Sequence, residues 1–333
     1  MKNLKNRVTI YEVAKVAGVS LATVSRVINK QTNVSEETKK KVEATIQKLG
    51  YKPSALAQGL ATSKSTSIGI VIPSANYVYI SNMLNGMTDK VKEYGYDLRL
   101  FVTRHNREDA LKVVEDVITS HVDGAIIFDD ELENEDIWQI ASYEVPIIAV
   151  NNNIEGEKIG CIRFGYEHNI RGIIRDYIHS EHAKKMYFLH VHNAGRLLER
   201  IERSFIETHV ENSVSYGILS CDDSYTRTYN DFIEFFKTTK SGYFLAYRDS
   251  IAAAILNAAI DSGLRVPEDV EILSIIGTKY ASIFRPQVTS MHIDLREIGC
   301  KAVDMLKGIM DENLQEKNVR IESNYVKRGT TIK

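Results

Sequence analysis

From Ser67 onward, short apolar runs alternate with amphipathic stretches of helical period, and the alternation occurs twice in tandem. The first block runs SIGIVIP, a helix to Tyr94, DLRLFV, a helix near 107–120, GAIIF, a short helix and VPIIAV. After a break near Gly160 come a helix near 167–182, MYFLHV, helices near 196–209 and 225–237, GYFLAY, a helix near 249–263 and VEILSII. Strands fed by helical crossovers pack as mostly parallel sheets with right-handed connections. Two such blocks predict two α/β subdomains. In open parallel sheets, ligands sit beyond the carboxyl ends of the strands.

The first sixty residues follow different rules. Thr9-Ile10-Tyr11-Glu12 reads as a capping box, opening a helix that carries Val13, Ala14 and Val16 and stops at Gly18. Ser20 caps a second helix, Leu21 to about Asn29, with Val24 and Val27 facing inward. Ser35 starts a third, with Glu36 and Glu37 in its first turn, Val42, Ile46 and Leu49 as its apolar stripe and Gly50 at its end. Two helices across a tight glycine turn, braced by a third, read as a helix-turn-helix, whose second helix would enter the DNA major groove N-terminus first; the alternative is a plain three-helix packing unit with Arg26 as a solvated charge. The outward side chains of the second helix are Leu21, Ala22, Ser25, Arg26 and Asn29. Arg26 suits the bidentate contact to guanine, and Leu21 and Ala22 suit thymine methyl groups. YKPSALAQGL holds a helix after Pro53 too short to be stable alone; it reads either as a segment that would order on binding, with Leu60 as an apolar wedge for the minor groove, or as an ordinary linker with a buried leucine.

Charge supports that division. Residues 1–60 hold 11 Lys/Arg against 4 Asp/Glu, whereas the remainder holds 31 against 40. A basic head on an acidic body suits phosphate binding at one end. No apolar run approaches a membrane span, and the polar, basic N-terminus does not read as a secretory signal. Cys161, Cys221 and Cys300 are far apart and form no C-x-x-C pair, as expected of reduced thiols in a cytoplasmic protein.

TIYEVAKVAGVSLATVSRVIN, VSEETKKKVEATIQKLGYKPSALAQGLA and SIGIVIP together resemble the LacI/GalR family of bacterial transcription regulators. The likeness continues more weakly through VDGAIIF, LRVPEDVEIL and RPQVTSM, and so spans essentially the whole chain. Within the family, Leu21-Ala22 looks closer to the catabolite-control branch. The resemblance implies a helix-turn-helix head (1–60, hinge helix 54–60), a linker (61–66) and a periplasmic-binding-protein-like core (67–333) of two doubly wound lobes. Lobe one is about 67–161 and 292–322, and lobe two about 162–291 and 323–333. The chain would cross near 161–164, 289–294 and 320–326, and helix 295–311 would return to the first lobe. Leu21, Ala22, Arg26 and Asn29 would read bases, and Thr9, Tyr11, Ser20, Thr23 and Ser25 would touch phosphates or brace the head. Ser54, Ala57 and Leu60 would form the hinge, with Leu60 the minor-groove lever. The implied function is a repressor of carbohydrate-related genes that binds a pseudo-palindromic DNA operator as a homodimer, under a small-molecule effector. No cofactor, metal or membrane is implied.

The effector cleft is expected around Asn76, Tyr77, Arg104, Asp129, His190, His192, Arg248 and Asp249, at strand carboxyl ends. Three positions depart from the family's sugar and purine binders: Ile276 falls where an Asp is usual, Arg248-Asp249 where Asn-Asp is common, and Ile201 where an Arg is usual. Arg104, His190, His192 and Arg248 would instead suit an anionic ligand such as a sugar phosphate. The catabolite-control branch also uses a phosphorylated phosphocarrier protein. Its contact pattern is not matched at Arg296-Glu297 and Asp304, so that partner is not implied.

Enzymatic and metal readings find little. No Walker A, G-x-G-x-x-G, G-x-S-x-G or H-E-x-x-H motif occurs. His190 and His192 are read as pointing to opposite faces of a strand, a poor metal pair. His179 and His182 with Glu181 read as a solvated helix end. The acidic run from Asp129 to Asp136 lacks the glycine-centred spacing of a calcium loop. The rival classes are a transport solute-binding protein, which the basic head opposes, and an α/β enzyme, which would need a nucleophile or acid–base constellation.

Overall fold

The computed structural model describes residues 8–29, 33–52, 66–192 and 195–332. The chain divides into two compact units, 1–66 and 67–333. The hinge residues Ser54, Ala57 and Leu60 lie outside the described residues.

In the first unit, α1 (Ile10–Ala17), α2 (Leu21–Ile28) and α3 (Glu36–Leu49) are each fixed by their own ends. Thr9 and Glu12 form the reciprocal capping box, with the Glu12 carboxylate accepting the Thr9 N–H at 2.7 Å. Gly18 closes α1 at φ +63°, a conformation that costs a side-chain-bearing residue about 1 kcal/mol or more. The Ser20 hydroxyl accepts the Thr23 N–H at 3.1 Å and starts α2. Val13, Ala14, Ala17, Val24, Val27 and Val42 make the core, flanked by Ile46 and Leu49. Val16, on the same helix as Val13, is 53% exposed. The inward face of α1 is Val13, Ala14 and Ala17, and Val16 falls outside that arc.

The second unit contains two six-stranded sheets. The first is built from β1 (Ser67–Ile72), β2 (Asp97–Val102), β3 (Gly124–Ile127), β4 (Ile147–Val150), β5 (Ile159–Gly165) and β11 (Asn318–Glu322). Its order is β11-β5-β4-β3-β1-β2, parallel throughout. Around it lie α4 (Val78–Glu93), α5 (Arg107–Thr119), α6 (Asn134–Ser142) and α11 (Leu295–Met310). The second sheet contains β6 (Met186–Val191), β7 (Tyr216–Cys221), β8 (Gly242–Arg248), β9 (Val270–Ile276), β10 (Thr289–His292) and β12 (Asn324–Val326). Its order is β12-β10-β9-β8-β6-β7, with only β12 antiparallel to its neighbour. Its helices are α7 (Glu167–Ile178), α8 (Arg196–Glu211), α9 (Tyr225–Thr238) and α10 (Asp249–Asp261).

Five strands differ from the sequence reading: β5, β7 and the short β10, β11 and β12 that follow VEILSII, and, β5 aside, none of them has a run of more than two apolar residues. The break near Gly160 is the body of β5, and residues 162–165, assigned above to lobe two, pair in the first sheet. Gly160 is small because it is crowded: a Cβ there would stand 2.6 Å from the Ile148 side chain. The first crossing therefore follows Gly165, and the later ones fall between β10 and α11 and at Ser323. Strand β7 went unread because it is an edge strand with solvated positions and no continuous apolar run.

Helix α11 packs against α4 on the first sheet. Their backbones meet through paired glycines: a Cβ on Gly86 would lie 2.0 Å from the Arg296 carbonyl, and one on Gly299 2.1 Å from the Met83 carbonyl. In lobe two, the fully buried Glu271 carboxylate accepts from the Tyr177 hydroxyl, Lys184 Nζ and the Ile332 N–H at 2.7–2.8 Å. A buried carboxylate needs this many donors to offset its lost hydration.

Candidate nucleic-acid interface and effector cleft

On the head, Val24 and Val27 bury one side of α2, which turns Leu21, Ala22, Arg26 and Asn29 outward as exposed side chains. All four expected base readers therefore share one solvent face at the start and along one side of the helix. Ser20 and Thr23 pair hydroxyl to hydroxyl at 2.8 Å, and Asn29 Nδ2 donates to Ser25 Oγ at 3.4 Å. These polar groups hold the helix end and keep spare capacity for phosphate oxygens. Thr9 is exposed in its capping box, and Tyr11 is 68% exposed beside it.

In the core, the carboxyl ends of both sheets converge on a cavity of about 190 Å³. Lobe one supplies Tyr77, Tyr79, His105, Phe128, Asp129, Asp130, Glu131 and Asn151. Lobe two supplies His192, Gly195, Asp223, Tyr247, Arg248 and Ile276. The volume is below the roughly 300–1,000 Å³ usual for drug-sized ligands, so only a small molecule fits this arrangement of the lobes.

Each polar group has a local reason for its state. Asp129 accepts from the Thr103 hydroxyl and from the N–H groups of Glu131 and Leu132, yet burial still raises its pKa. Asp130 stands at the N-terminus of α8, where burial pushes its carboxyl up to about 6 against the pull of Arg196. Gly195 is required there: its φ is +87°, and a Cβ would come 1.9 Å from Asp130 Oδ2. Burial raises Asp223, with Arg248 opposing. Burial also lifts Tyr247 to about 12.

Three arginines of lobe two tie the lobes together. Arg196 Nη2 donates to the Leu132 and Asp130 carbonyls at 2.8 and 3.3 Å. Arg200 donates to Asn151 Oδ1 at 3.0 Å and to Glu167 at 2.8 Å. Arg248 pairs with Asp223 at 2.9 Å and lies over the rings of Tyr77 and Tyr79 from lobe one.

The structure divides the expected cleft residues. Tyr77, Asp129, His192 and Arg248 line the cavity, while Asn76 and Asp249 border an adjoining depression shared with Tyr77 and Arg248. Asp249 is buried and bonded at 2.7 Å to Ser274 Oγ, the Thr278 N–H and Thr278 Oγ1, so it ties the start of α10 to the loop after β9. Arg104 turns out to solvent, 79% exposed, facing Asp109 at 3.8 Å. His190 pairs with Glu202 at 2.7 Å and does not line the cavity. His190 and His192 do not point to opposite faces: their rings meet edge to face at 5.1 Å, because residues two apart on a strand share a face. No cluster of three or more His, Cys, Asp or Glu suited to a metal occurs among the described residues.

The anionic-ligand expectation does not fit this lining. Asp129, Asp130, Glu131 and Asp223 surround the cavity, and its one lining arginine is already paired. The lining residues that the sequence reading left out include five aromatics: Tyr79, Phe128, Phe164, Tyr166 and Tyr247. Tyr79 had a signal, two places after Tyr77 beyond β1, and Phe128 and Tyr247 stand at or near the ends of the GAIIF and GYFLAY runs. Asp223 had none, because the strand before it was unread.

Comparison with known proteins agrees with both units. A model described as bacterial regulatory proteins, lacI family, matches residues 9–54, and a periplasmic binding protein-like domain matches residues 219–331. Catabolite control protein A of Staphylococcus aureus is 30% identical over 97% of this chain and 99% of its own length. That of Priestia megaterium is 30% identical over 94% and 95%. The crystal structure of the Lac repressor dimer bound to operator and the anti-inducer ONPF superposes with a TM-score of 0.83, at 25% identity, covering 98% of this chain and all of that one. No helix among the described residues is long and apolar enough to cross a membrane. A capped helix-turn-helix, a two-lobed α/β core and full-length relatives at this identity place the chain in the LacI family of bacterial regulatory proteins, as a transcription regulator.

Proposed function

We propose that the protein is a repressor that binds a pseudo-palindromic operator as a homodimer and answers to a small effector in the inter-lobe cleft. The observation that carries the DNA reading is the exposed face of α2, where Leu21, Ala22, Arg26 and Asn29 stand clear of a helix anchored by Val24 and Val27. Arg26 reads guanine, Leu21 and Ala22 lie against apolar base edges, and Thr9, Tyr11, Ser20, Thr23 and Ser25 set register on the phosphates. Residues 1–60 act as the reading head, with 54–60 the hinge and 61–66 the linker. The dimeric, operator-bound state of the Lac repressor supports this arrangement. The reading is of a binding protein rather than an enzyme.

The cleft favours a neutral, hydroxyl-rich small molecule. Its carboxylates accept hydroxyl hydrogens, Arg248 and Asn151 offer polar contacts, and its aromatic rings cover the apolar face of a sugar-sized ring. Ile276, where a further Asp would extend this bonding, narrows the choice without reversing it. The effector acts through its differential affinity for two lobe arrangements.

The DNA reading is tested by Arg26→Ala in competitive gel shifts. Loss of about 1–3 kcal/mol of operator affinity, confined to the base pair read, is expected, with non-specific binding kept. Unchanged discrimination between operator and random DNA contradicts the assignment.

A further inference from the structure

We propose that Arg248 is a resident latch, a tethered cation that fills the aromatic box between the lobes and holds them together without any ligand. The guanidinium lies 4.4 Å from the Tyr77 ring centroid and 5.9 Å from that of Tyr79, both in lobe one. On the lobe-two side it lies 4.7 Å from Tyr247 and pairs with Asp223 at 2.9 Å. Tyr77 and Tyr79 stack on each other at 5.4 Å, so lobe one presents a preformed pair of ring faces.

Aromatic faces beside a carboxylate are the usual means of holding a cation away from water. Here the cation belongs to the chain itself. The Arg248 side chain is only 14% exposed, so water screens the pair with Asp223 far less than it screens a surface pair. The planar guanidinium can stack on the rings and meet the carboxylate at once, which a lysine ammonium cannot do in the same way. One donor is left over: Arg248 Nε is buried and has no hydrogen-bond partner among the described residues. The side chain therefore sits where packing and charge place it rather than where its hydrogen bonding would be complete. A molecule entering the cleft must dislodge the guanidinium or satisfy Nε, and so acts on the contact that joins the lobes. The latch concerns the unliganded chain and does not depend on which effector binds, or on whether one does.

The test is hydrogen exchange on the full-length, ligand-free protein. Arg248→Ala should raise exchange several-fold in residues 77–83 and 195–201, the two sides of the cleft, while the strand amides of both sheets keep their protection. Millimolar methylguanidinium should restore protection in Arg248→Ala. Methylammonium should do so less well, and Arg248→Ala combined with Asp223→Asn should not respond. Wild-type exchange at the cleft in a folded Arg248→Ala protein overturns the latch, as does cleft exchange indifferent to methylguanidinium. If Arg248→Ala unfolds globally, Arg248→Lys decides: it keeps the charge and loses the stacking, so cleft opening supports the latch and wild-type protection overturns it. An effector screen that finds no ligand would count against the cleft reading above and leave this result standing.

Discussion

The head and the cleft are built on opposite principles. Each head helix is set by residues within three or four positions of its ends: Thr9 with Glu12, Gly18, Ser20 with Thr23, and Ser35 with Thr38. The cleft is assembled from residues far apart in sequence. Tyr77 meets Arg248, Asp130 meets Arg196, and Asn151 meets Arg200. Local rules specify a surface that must present one face to a regular duplex. Long-range packing specifies a cavity whose two walls must be able to move apart.

Substitutions can break this contrast, and the largest expected effect is in the core. Glu271→Ala removes the carboxylate shared by Lys184, Tyr177 and the Ile332 amide and leaves a mostly buried ammonium unpaired. It should cost about 3 kcal/mol of core stability, measured by urea unfolding, with the head's own unfolding unchanged. Equal destabilisation of both units would mean that they fold as one. Next comes Ser20→Ala, which removes the cap of α2. It should cost about 1 kcal/mol in the head alone, and operator affinity should fall with it. A stability loss in the core would break the division between local and long-range control.

A third test of the comparison is a pH dependence of the cleft. Burial holds the Asp130 carboxyl near 6, above its ordinary 3.8. A group whose pKa rises on folding takes up a proton more readily in the folded, closed state. Its contribution is therefore fully present below about pH 4 and is lost as the pH rises through 6, with a slope of at most one proton. Asp130→Asn should flatten the dependence of core stability on pH in that window. An unaltered slope would show that Asp130 is not desolvated.

Much of the head was legible from sequence because capping and glycine turns act over short spans, and Val13, Val24 and Val42 announce their burial by helical spacing. The two-sheet core was legible from alternation, except where a strand lacked a continuous apolar run (β7, and the short β10, β11 and β12) or carried a crowded glycine (β5). The cleft was half legible. Strand ends pointed to Tyr77, Asp129, His192 and Arg248, but sequence could not say that Arg104 turns outward, that His190 is held by Glu202, or that Asp249 is spent on Ser274 and Thr278. Those outcomes depend on partners 5 to 29 residues away, whose approach is set by tertiary packing.

The most direct measurement is selection of bound duplexes from a randomised DNA pool by the full-length protein, repeated with Arg26→Ala. The account predicts one two-fold-related consensus from the wild type and relaxed selection at a single guanine in each half-site from the variant. Recovery of duplexes with no common sequence by the wild-type protein would contradict it.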